Sequence, residues 1–439
     1  MAIGVGLLGL GTVGSGVAAI LATPEGRHPL VSDLALRRVA VRDPSKSRSV
    51  ELDPALLCAD PMVVVDDPAV EIVVEVMGGL EPARSLILRA IAAGKPVVTA
   101  NKAVIARHGE EIAAAAAEGG VYVLIEAAVG GGIPIIEPLK QSLGGNRIQR
   151  VSGIINGTTN YILSRMADEG AAYGAVLADA QRLGYAESDP AADVEGHDAA
   201  DKIAILASLA FGGPVERSAI ATQGIDRLEA RDVAYAAELG YVVKLLAVAE
   251  RMEGLEGANA SSDVLPLDVR VHPTLLPRHH PLAGVHGVNN AILVEGDPVG
   301  QVMFFGPGAG AGPTASAVVA DILNIAGIRQ VGGMDTGLDP LLAAGSWRRC
   351  ALVDGRFSRH RNYVRLRSKD EAGVIGKIGT AFGTAGVSIQ SIVQYETNRD
   401  SAEIVVITHE VVEADFRRAL EAITALSEVE AVAACLRTL

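Results

Sequence analysis

The period of hydrophobic and polar positions changes along the chain, and the changes divide it. Over roughly the first 130 residues, short β-rich apolar runs alternate with alanine-rich stretches of helical spacing. "AIGVGLLGLG" reads as the first strand, "LALRRVAVRD" as the second, "VEIVVEVMGG" as the third, "KPVVTANK" as the fourth and "VYVLIEAAV" as the fifth. Between them, "EPARSLILRAIAAG" and "AVIARHGEEIAAAAAEGG" read as helices, each closed by glycine in the C-cap position. Strand alternating with helix predicts a doubly wound α/β layer, a parallel sheet wrapped on both faces.

From about Ile135 the alternation gives way to longer helical and strand segments, which predicts a second domain of mixed α+β type. A late helical run, Thr314 to Gly327, is placed to return to the first domain. After "GSWRRC", the basic and irregular "DGRFSRHRN" reads as a linker. Beyond it lie an alternating strand "NYVRLRS", a helix "GVIGKIGTAFGTAG", and strands "VSIQSIVQYE" and "SAEIVVITHE" around the turn "TNRD". An amphipathic helix "EADFRRALEAITAL" and a final strand "VEAVAACLRT" complete it. The order β-α-β-β-α-β is the ferredoxin-like plan. Poor in clustered acid-base residues, this module reads as a ligand-binding or oligomerisation unit. The resulting division is 1–134, with a returning segment near 314–350, then 135–313, then 361–439.

Composition narrows the function. A chain of 439 residues with 49% hydrophobic and 21% charged positions is a packed globular protein of two or three domains. A net charge of -14, with no basic stripe carrying aromatics, argues against nucleic acid as a partner. The N-terminus has no charged leader region, and its apolar run breaks into glycines too soon for a signal peptide or a membrane span. The expectation is therefore a cytoplasmic enzyme without a membrane partner. Cys58, Cys350 and Cys435 lack the spacing of a disulfide framework or a zinc site, and read as small buried hydrophobes.

The chemistry begins at "GLGTVG". Gly9, Gly11 and Gly14 stand in G-x-G-x-x-G spacing directly after the first strand, with Leu10, Thr12 and Val13 between them. The first glycine permits the tight turn, the second lets a pyrophosphate reach the backbone, and the third lets the next helix pack closely. This spacing in this context is a dinucleotide site. At the end of the second strand, Arg42, Asp43 and Lys46 offer both a partner for a ribose hydroxyl and bases for a 2′-phosphate, and the bases favour NADP over NAD. Lys102 ends "TANK" at the carboxyl end of the fourth strand, where the nicotinamide end of the crevice belongs. "EAAVGGGIPII" follows the fifth strand and reads from spacing as a crossing between domains, although its carbonyls could also hold a hard cation.

"AESDPAADVEGHDAADK" gathers Glu187, Asp189, Asp193, Glu195, Asp198 and Asp201 before Lys202. Asp198 and Lys202, four apart, share one face of the helix that begins there. Glu187, Asp189 and Asp193 precede it in a proline-bearing loop and could converge on the same point. A lysine among carboxylates stays protonated and can donate to a developing alkoxide, and the surplus acids suit a substrate carrying an ammonium group.

The run A-x-x-x-G-Y-x-E-x-D-P-x-x-D-V-x-G-x-D-x-x-x-K, Ala180 to Lys202, closely resembles the homoserine dehydrogenase signature. "GLGTVG", "TANK", "EAAVGGGIP", "GIINGTTNYIL" and "GPGAGAGPTASAVVAD" continue the resemblance across residues 2 to 350, and the C-terminal module resembles an ACT domain. Ser188 departs from the proline the family often carries there, which alters loop stiffness only. The resemblance implies reversible reduction of L-aspartate 4-semialdehyde to L-homoserine with NAD(P)H, on the route to threonine, methionine and isoleucine. It makes Lys202 the proton donor or acceptor with Lys102 beside it, and gives Glu187, Asp198, Asp193 and Thr158 to the substrate. Gly308 joins the cofactor set, and Glu126, Val129, Gly131 and Ile133 become the holders of a structural sodium ion. It further implies feedback by an amino acid, most plausibly threonine, at the Asp370 to Gly373 loop, and a homodimer or homotetramer. Because the numbering starts just before the first strand, a monofunctional chain is expected.

Two rivals are weaker. Phosphate-dependent oxidation of the same semialdehyde needs a nucleophilic cysteine in a polarising setting, which none of the three has. A silent NADP- and amino-acid-binding regulator would have lost a lysine or Glu187, and none is missing.

Overall fold

The computed structural model describes residues 2–252, 264–330, 349–398 and 401–439. The described chain forms two compact units that do not follow chain order. One comprises Met1–Val151, Asp201–Ser218 and Asn290–Cys350; the other comprises Ser152–Ala200, Ala219–Asn289 and Ala351–Leu439.

The first unit is built on a six-stranded sheet of β1 (Ile3–Leu8), β2 (Leu34–Ala40), β3 (Leu57–Cys58), β4 (Ile72–Glu75), β5 (Val97–Thr99) and β6 (Val123–Leu124). All its pairs are parallel and the order is β3-β2-β1-β4-β5-β6. β1 and β4 are buried at every position, which is why they read as continuous apolar runs. The edge strand β3 is two residues long and left no periodic signal in the sequence.

Helix α1 (Thr12–Ala22) covers one face of that sheet, and α2 (Met62–Asp66), α3 (Ala83–Ala92) and α4 (Lys102–Gly119) cover the other. α4 closes on Gly120 at φ 61°, a left-handed conformation that glycine adopts without strain. α3 instead closes on Ala93, with Gly94 one position later at φ 70°.

The helix read late in the sequence, Ala311–Gln330, packs Ala315, Val318 and Ile322 into the α1 face beside Val17 and Ala18. Its Arg329 reaches Glu71 across 258 residues of chain. Among the described residues it is the one helix apolar and long enough to cross a membrane, and half of that stretch is buried in the protein. The rest of the returning segment expected near 314–350, residues 331–348, lies outside the described residues.

In the second unit, strands β9 (Tyr241–Arg251) and β10 (Val264–Pro277) form a long antiparallel pair. β10 also pairs, each time over a short stretch, with Arg349–Leu352, with Ala221–Thr222 at Arg270 and Val271, and with the C-terminal strand at Thr274 and Leu275. Pro273, which has no N–H to donate, stands in the gap between the last two. The C-terminal module contributes β14 (Arg359–Lys369), β15 (Ile389–Asn398), β16 (Ser401–Thr408) and β18 (Val429–Thr438), in the order β18-β14-β16-β15. Its helices α11 (Val374–Thr384) and α12 (Glu413–Thr424) lay one apolar stripe each on that sheet. Val374, Ile378 and Phe382 are spaced by four, and each large side chain buried there contributes about 1.5–3 kcal/mol.

Two expectations need correction. The "DGRFSRHRN" stretch is not a linker: Gly355–Phe357 is a 3-10 turn capped by Asp354, and Arg359 already begins β14. His360 lies buried there, 2.7 Å from Glu413, so its basic residues are spent on internal pairs. The three cysteines are free as expected, but half-buried instead of fully buried. Cys58 sits on the short edge strand and packs only in part against the cluster that holds Val64 and Val65.

Candidate active site

The glycine turn is built as its spacing requires. Gly9 follows β1 at φ 108° and its N–H is held by the Ala40 carbonyl at 3.0 Å. A β-carbon on Gly14 would stand 2.2 Å from the Gly9 carbonyl oxygen, so only glycine lets α1 start this close to the turn. A β-carbon on Gly11, the N-cap of α1, would meet nothing within 4 Å. The crowded glycine thus serves the fold, and the open one faces the space a phosphate needs. The cradle fits a dinucleotide.

The loop after β2 sorts its charges. Asp43 Oδ1 accepts from the Ser45 N–H at 2.9 Å and the Ser45 hydroxyl at 2.6 Å, and these bonds, led by the hydroxyl, lower its pKa. Arg48 folds back onto the carbonyls of Asp43 and Lys46, at 2.5 Å each. Arg42 and Lys46 are exposed. A cavity of about 380 Å³ lies here, lined by Leu10 of the glycine turn together with Lys46, Ser47 and Arg48.

At the carboxyl ends of β4 and β5 a buried brace fixes the start of α4. Glu75, fully buried, accepts from the Thr99 hydroxyl at 2.7 Å and the Met77 N–H at 2.8 Å. Asn101 caps α4 by accepting from the Val104 N–H, and its amide donates to Gly79. Lys102 is therefore the first residue of a helix held rigidly at the sheet edge. Five residues on, Arg107 reaches Asp201 at 3.0 Å, and Arg217 holds the other oxygen of Asp201 at 2.6 Å. Asp201 directly precedes Lys202 on α8 (His197–Phe211), so the helix of Lys202 is clamped to the helix that Lys102 begins. Lys202 is 9% exposed, largely desolvated for a lysine.

The second unit gathers carboxylates around one amide. Asn156 is the N-cap of α5 (Gly157–Glu169), its Oδ1 accepting from the Thr159 N–H at 2.9 Å. Its Nδ2 donates to Asp193 Oδ1 at 2.7 Å and to Asp198 Oδ2 at 2.9 Å. The Thr158 hydroxyl lies 2.7 Å from the Tyr185 carbonyl and 3.0 Å from Asp193 Oδ2. Of the expected acids, the structure brings Asp193 and Asp198 together with Thr158. Asp189 accepts from the Ala191 N–H at 3.2 Å just ahead of the short helix Ala191–Val194, and the Glu187 side chain is exposed.

The "EAAVGGGIPII" loop turns on Gly130 and Gly131, at φ 79° and 59°. Gly131 is pressed against Gly308, where a β-carbon would come within 2.4 Å of the Gly308 carbonyl. Glu126, 4% exposed, accepts from the N–H groups of Ile135, Ile136 and Glu137 at 2.6 to 2.9 Å, yet burial still raises its pKa. Asp321 accepts from the Glu126 N–H, and burial holds its pKa well above the usual carboxylate range. Asp321 Oδ1 and both amide atoms of Asn290, which abuts Gly308, are buried without a hydrogen-bond partner. The orphaned oxygens of Asp321 and Asn290 are hard donors of the kind a cation takes as ligands. Among the described residues, no cluster of three or more His, Cys, Asp or Glu is arranged for a metal.

Three family models match the chain: the homoserine dehydrogenase NAD-binding domain over residues 9–126, homoserine dehydrogenase over 134–323, and the ACT domain over 362–428. A homoserine dehydrogenase of Synechocystis sp. is 56% identical over 439 residues, covering 100% of both chains. One of Corynebacterium glutamicum is 42% identical and covers 99% of this chain and 95% of its own. The chain belongs to the homoserine dehydrogenase family. A solved homoserine dehydrogenase of Thiobacillus denitrificans is similar at a TM-score of 0.88 and 42% identity, over 100% of this chain and 98% of that one. A hyperthermophilic archaeal homoserine dehydrogenase in complex with NADPH is similar over 75% of this chain, at 28% identity and a TM-score of 0.61.

The chain is accordingly an oxidoreductase with a nicotinamide cofactor, and the silent-regulator reading is set aside. Homoserine dehydrogenase chemistry also makes sense of residues that sequence patterns did not single out. Asn156 was visible only as an asparagine three places before a helical Thr159, the usual N-cap signal. Arg107 and Arg217 carried no signal, and Asp201 stood in the acidic run with nothing to mark these two as its partners.

Proposed function

We propose that this chain reduces L-aspartate 4-semialdehyde to L-homoserine reversibly, with NADPH preferred over NADH. The observation that carries the reading is helix α8, which presents Asp198 inside the Asn156–Asp193–Thr158 cluster and Lys202 one turn later on the same face. The bound nicotinamide supplies the hydride. Lys202 donates the proton to the carbonyl oxygen in reduction and takes it back in oxidation, and Lys102 adds a second positive group to that oxygen. Charge on the oxygen grows toward the transition state, so both lysines stabilise that state more than the ground state. Asp198 and Asp193, with Thr158 and Glu187, bind the polar end of the substrate and hold it for attack.

The NADP preference rests on the β2 loop, where Asp43 is engaged by Ser45 while Lys46 and Arg48 line the cavity beside Leu10 and Arg42 stands exposed. Gly9, Gly11 and Gly14, with Thr12, Val13 and Gly308, complete the cofactor set. Backbone carbonyls of Val129, Gly131 and Ile133, with Glu126, would hold a sodium ion that offsets the buried charge of Glu126 and Asp321. Threonine at the Asp370–Gly373 turn, where α11 begins, would make the C-terminal module a feedback sensor. A homodimer or homotetramer is supported by the edge strand Gly300–Pro307, whose Met303 and Phe305 are 42% and 56% exposed. A cytoplasmic site of action, where nicotinamide nucleotides are abundant, completes the reading.

The test is NADPH consumption with L-aspartate 4-semialdehyde by wild type and Lys202→Ala, each repeated with threonine. Loss of about 10²–10⁴-fold in kcat with NADPH binding intact supports the proton-transfer role. Turnover by Lys202→Ala at the wild-type rate overturns it.

A further inference from the structure

Lys244 sits in the middle of β9, opposite Thr274 of β10, and its side chain is 1% exposed. It lies outside the glycine turn, the α4–α8 clamp and the carboxylate cluster. Its Nζ donates to Asn160 Oδ1 at 3.0 Å and to the Val285 carbonyl at 2.6 Å. Asn160, equally buried, sits in the first turn of α5, and its own Nδ2 donates to the carbonyls of Val285 at 3.2 Å and Asn289 at 3.0 Å. One turn earlier on the same helix stands Asn156, whose amide spans Asp193 and Asp198.

We propose that Lys244 is a positioning residue for the amino-acid substrate: through Asn160 it locks the first turn of α5, and so fixes Asn156 and Thr158 against Asp193 and Asp198. A lysine is a costly way to fill a core position, because its ammonium must be desolvated with only carbonyl oxygens to receive it. Burial pushes the Lys244 ammonium down to about 8, opposed by the charge of Asp168 farther along α5. Thr274 opposite it, and the Asn160 amide and Val285 carbonyl that it bonds, are uncharged, so Asp168 is the charge acting on it. What the lysine supplies that a leucine could not is reach and directional donors. The long stem crosses from the sheet to the helix, and two N–H groups pin α5 and the Val285 loop to the same strand. A site whose polar partners must be held within a fraction of an ångström depends on such support.

The inference rests on the proposed placement of substrate at the Asn156 cluster, and the experiment separates the two. Lys244→Met and Asn160→Ser remove the lock from either side; Asp198→Asn tests the cluster itself. Steady-state KM is measured for L-aspartate 4-semialdehyde and for NADPH separately, alongside amide hydrogen exchange of Thr158 to Tyr161. The expected result is a rise of about tenfold in the semialdehyde KM for both lock variants, with the NADPH KM within about twofold of wild type. Faster exchange confined to the first turn of α5 should accompany it. Lower thermal stability with both KM values unchanged means Lys244 only fills space, and overturns the proposal. If Lys244→Met does not fold, Asn160→Ser and Lys244→Gln carry the same readout. A semialdehyde KM unmoved by Asp198→Asn places the fault in the cluster reading, whereas one moved by Asp198→Asn but by neither lock variant places it here.

Discussion

Replacing Arg365 with methionine should remove a large share of the stability of the C-terminal module. Arg365 is 1% exposed in β14, and its guanidinium contacts three carboxylates. Nε and Nη2 reach Asp232 at 2.7 and 3.2 Å, Nη1 reaches Glu403 at 2.8 Å, and Nη2 reaches Glu229 at 3.0 Å. Asp232 and Glu229 belong to the start of helix α9 (Ala230–Glu238), where they form a capping box. Glu403 also takes bonds from Tyr235 and Arg231 of that helix, and Tyr235 stacks on Tyr395 at 4.1 Å. Burial opposes the charge of Arg365, but Asp232 and the other acids hold its pKa above the ordinary value.

The pair with Glu229, which is 55% exposed, adds little. Asp232 and Glu403, at 0% and 1% exposed, would be left as buried carboxylates without their main counter-charge. Breaking a buried pair from one side costs about 3–5 kcal/mol. The assay is urea unfolding followed by circular dichroism, with Asp232→Asn and the double variant completing a cycle. Because the double variant removes one stranded charge, the two single losses should fail to add by about 1–3 kcal/mol. A loss below about 1 kcal/mol for Arg365→Met, or strict additivity, would refute the argument.

Three further outcomes are expected. Gly14→Ala should cost stability as well as nucleotide affinity, because its β-carbon meets the Gly9 carbonyl at 2.2 Å, whereas Gly11→Val should keep the wild-type melting temperature and raise the NADPH KM alone. Arg48→Ala should shrink the ratio of kcat/KM for NADPH over NADH by about 10- to 100-fold, since a charge-assisted bond to a phosphate is worth about 1.5–3 kcal/mol; an unchanged ratio would remove Arg48 from the 2′-phosphate site. His272 and His360 are both held below their ordinary pKa by burial, so each takes up its proton at lower pH in the folded chain than in the unfolded one, which protonates below about pH 6.5. Stability should therefore fall as pH drops below that value, and a His272→Gln, His360→Gln variant should show a flatter decline between pH 6.5 and 5.

The parts legible in the sequence were those whose signal is local. The turn around Gly9 and the helix from His197 are encoded by residues a few places apart, and so is the ferredoxin-like succession of the C-terminal module. What escaped depends on distant partners. Asp232 reads as one more surface acid in "EARDVAYAAE" until Arg365, 133 positions on, is placed beside it. "DGRFSRHRN" looked like a linker because Arg359 and His360 find Glu410 and Glu413 only in the fold. Lys244 was hidden for the same reason, and Asn160, inside "GIINGTTNYIL", gave no sign of a partner 84 positions on.

The position of β18 bears on the order in which the chain acquires its structure during synthesis. It pairs in parallel with β10 at Thr274 and Leu275 and antiparallel with β14 along nearly its whole length, so the strand latest in the sequence is an interior one. While a ribosome is still making residues 429–438, β14, β15 and β16 have no strand through which to join β10, and the backbone edge of β14 is open to pairing with another nascent chain. The strand ladder of the first unit meets no such delay, because β1 to β6 is complete by Leu124, and only the covering helix Ala311–Gln330 arrives later. Synthesis of residues 429–438, more than any earlier event, is thus the step that lets the sheet of the second unit become whole.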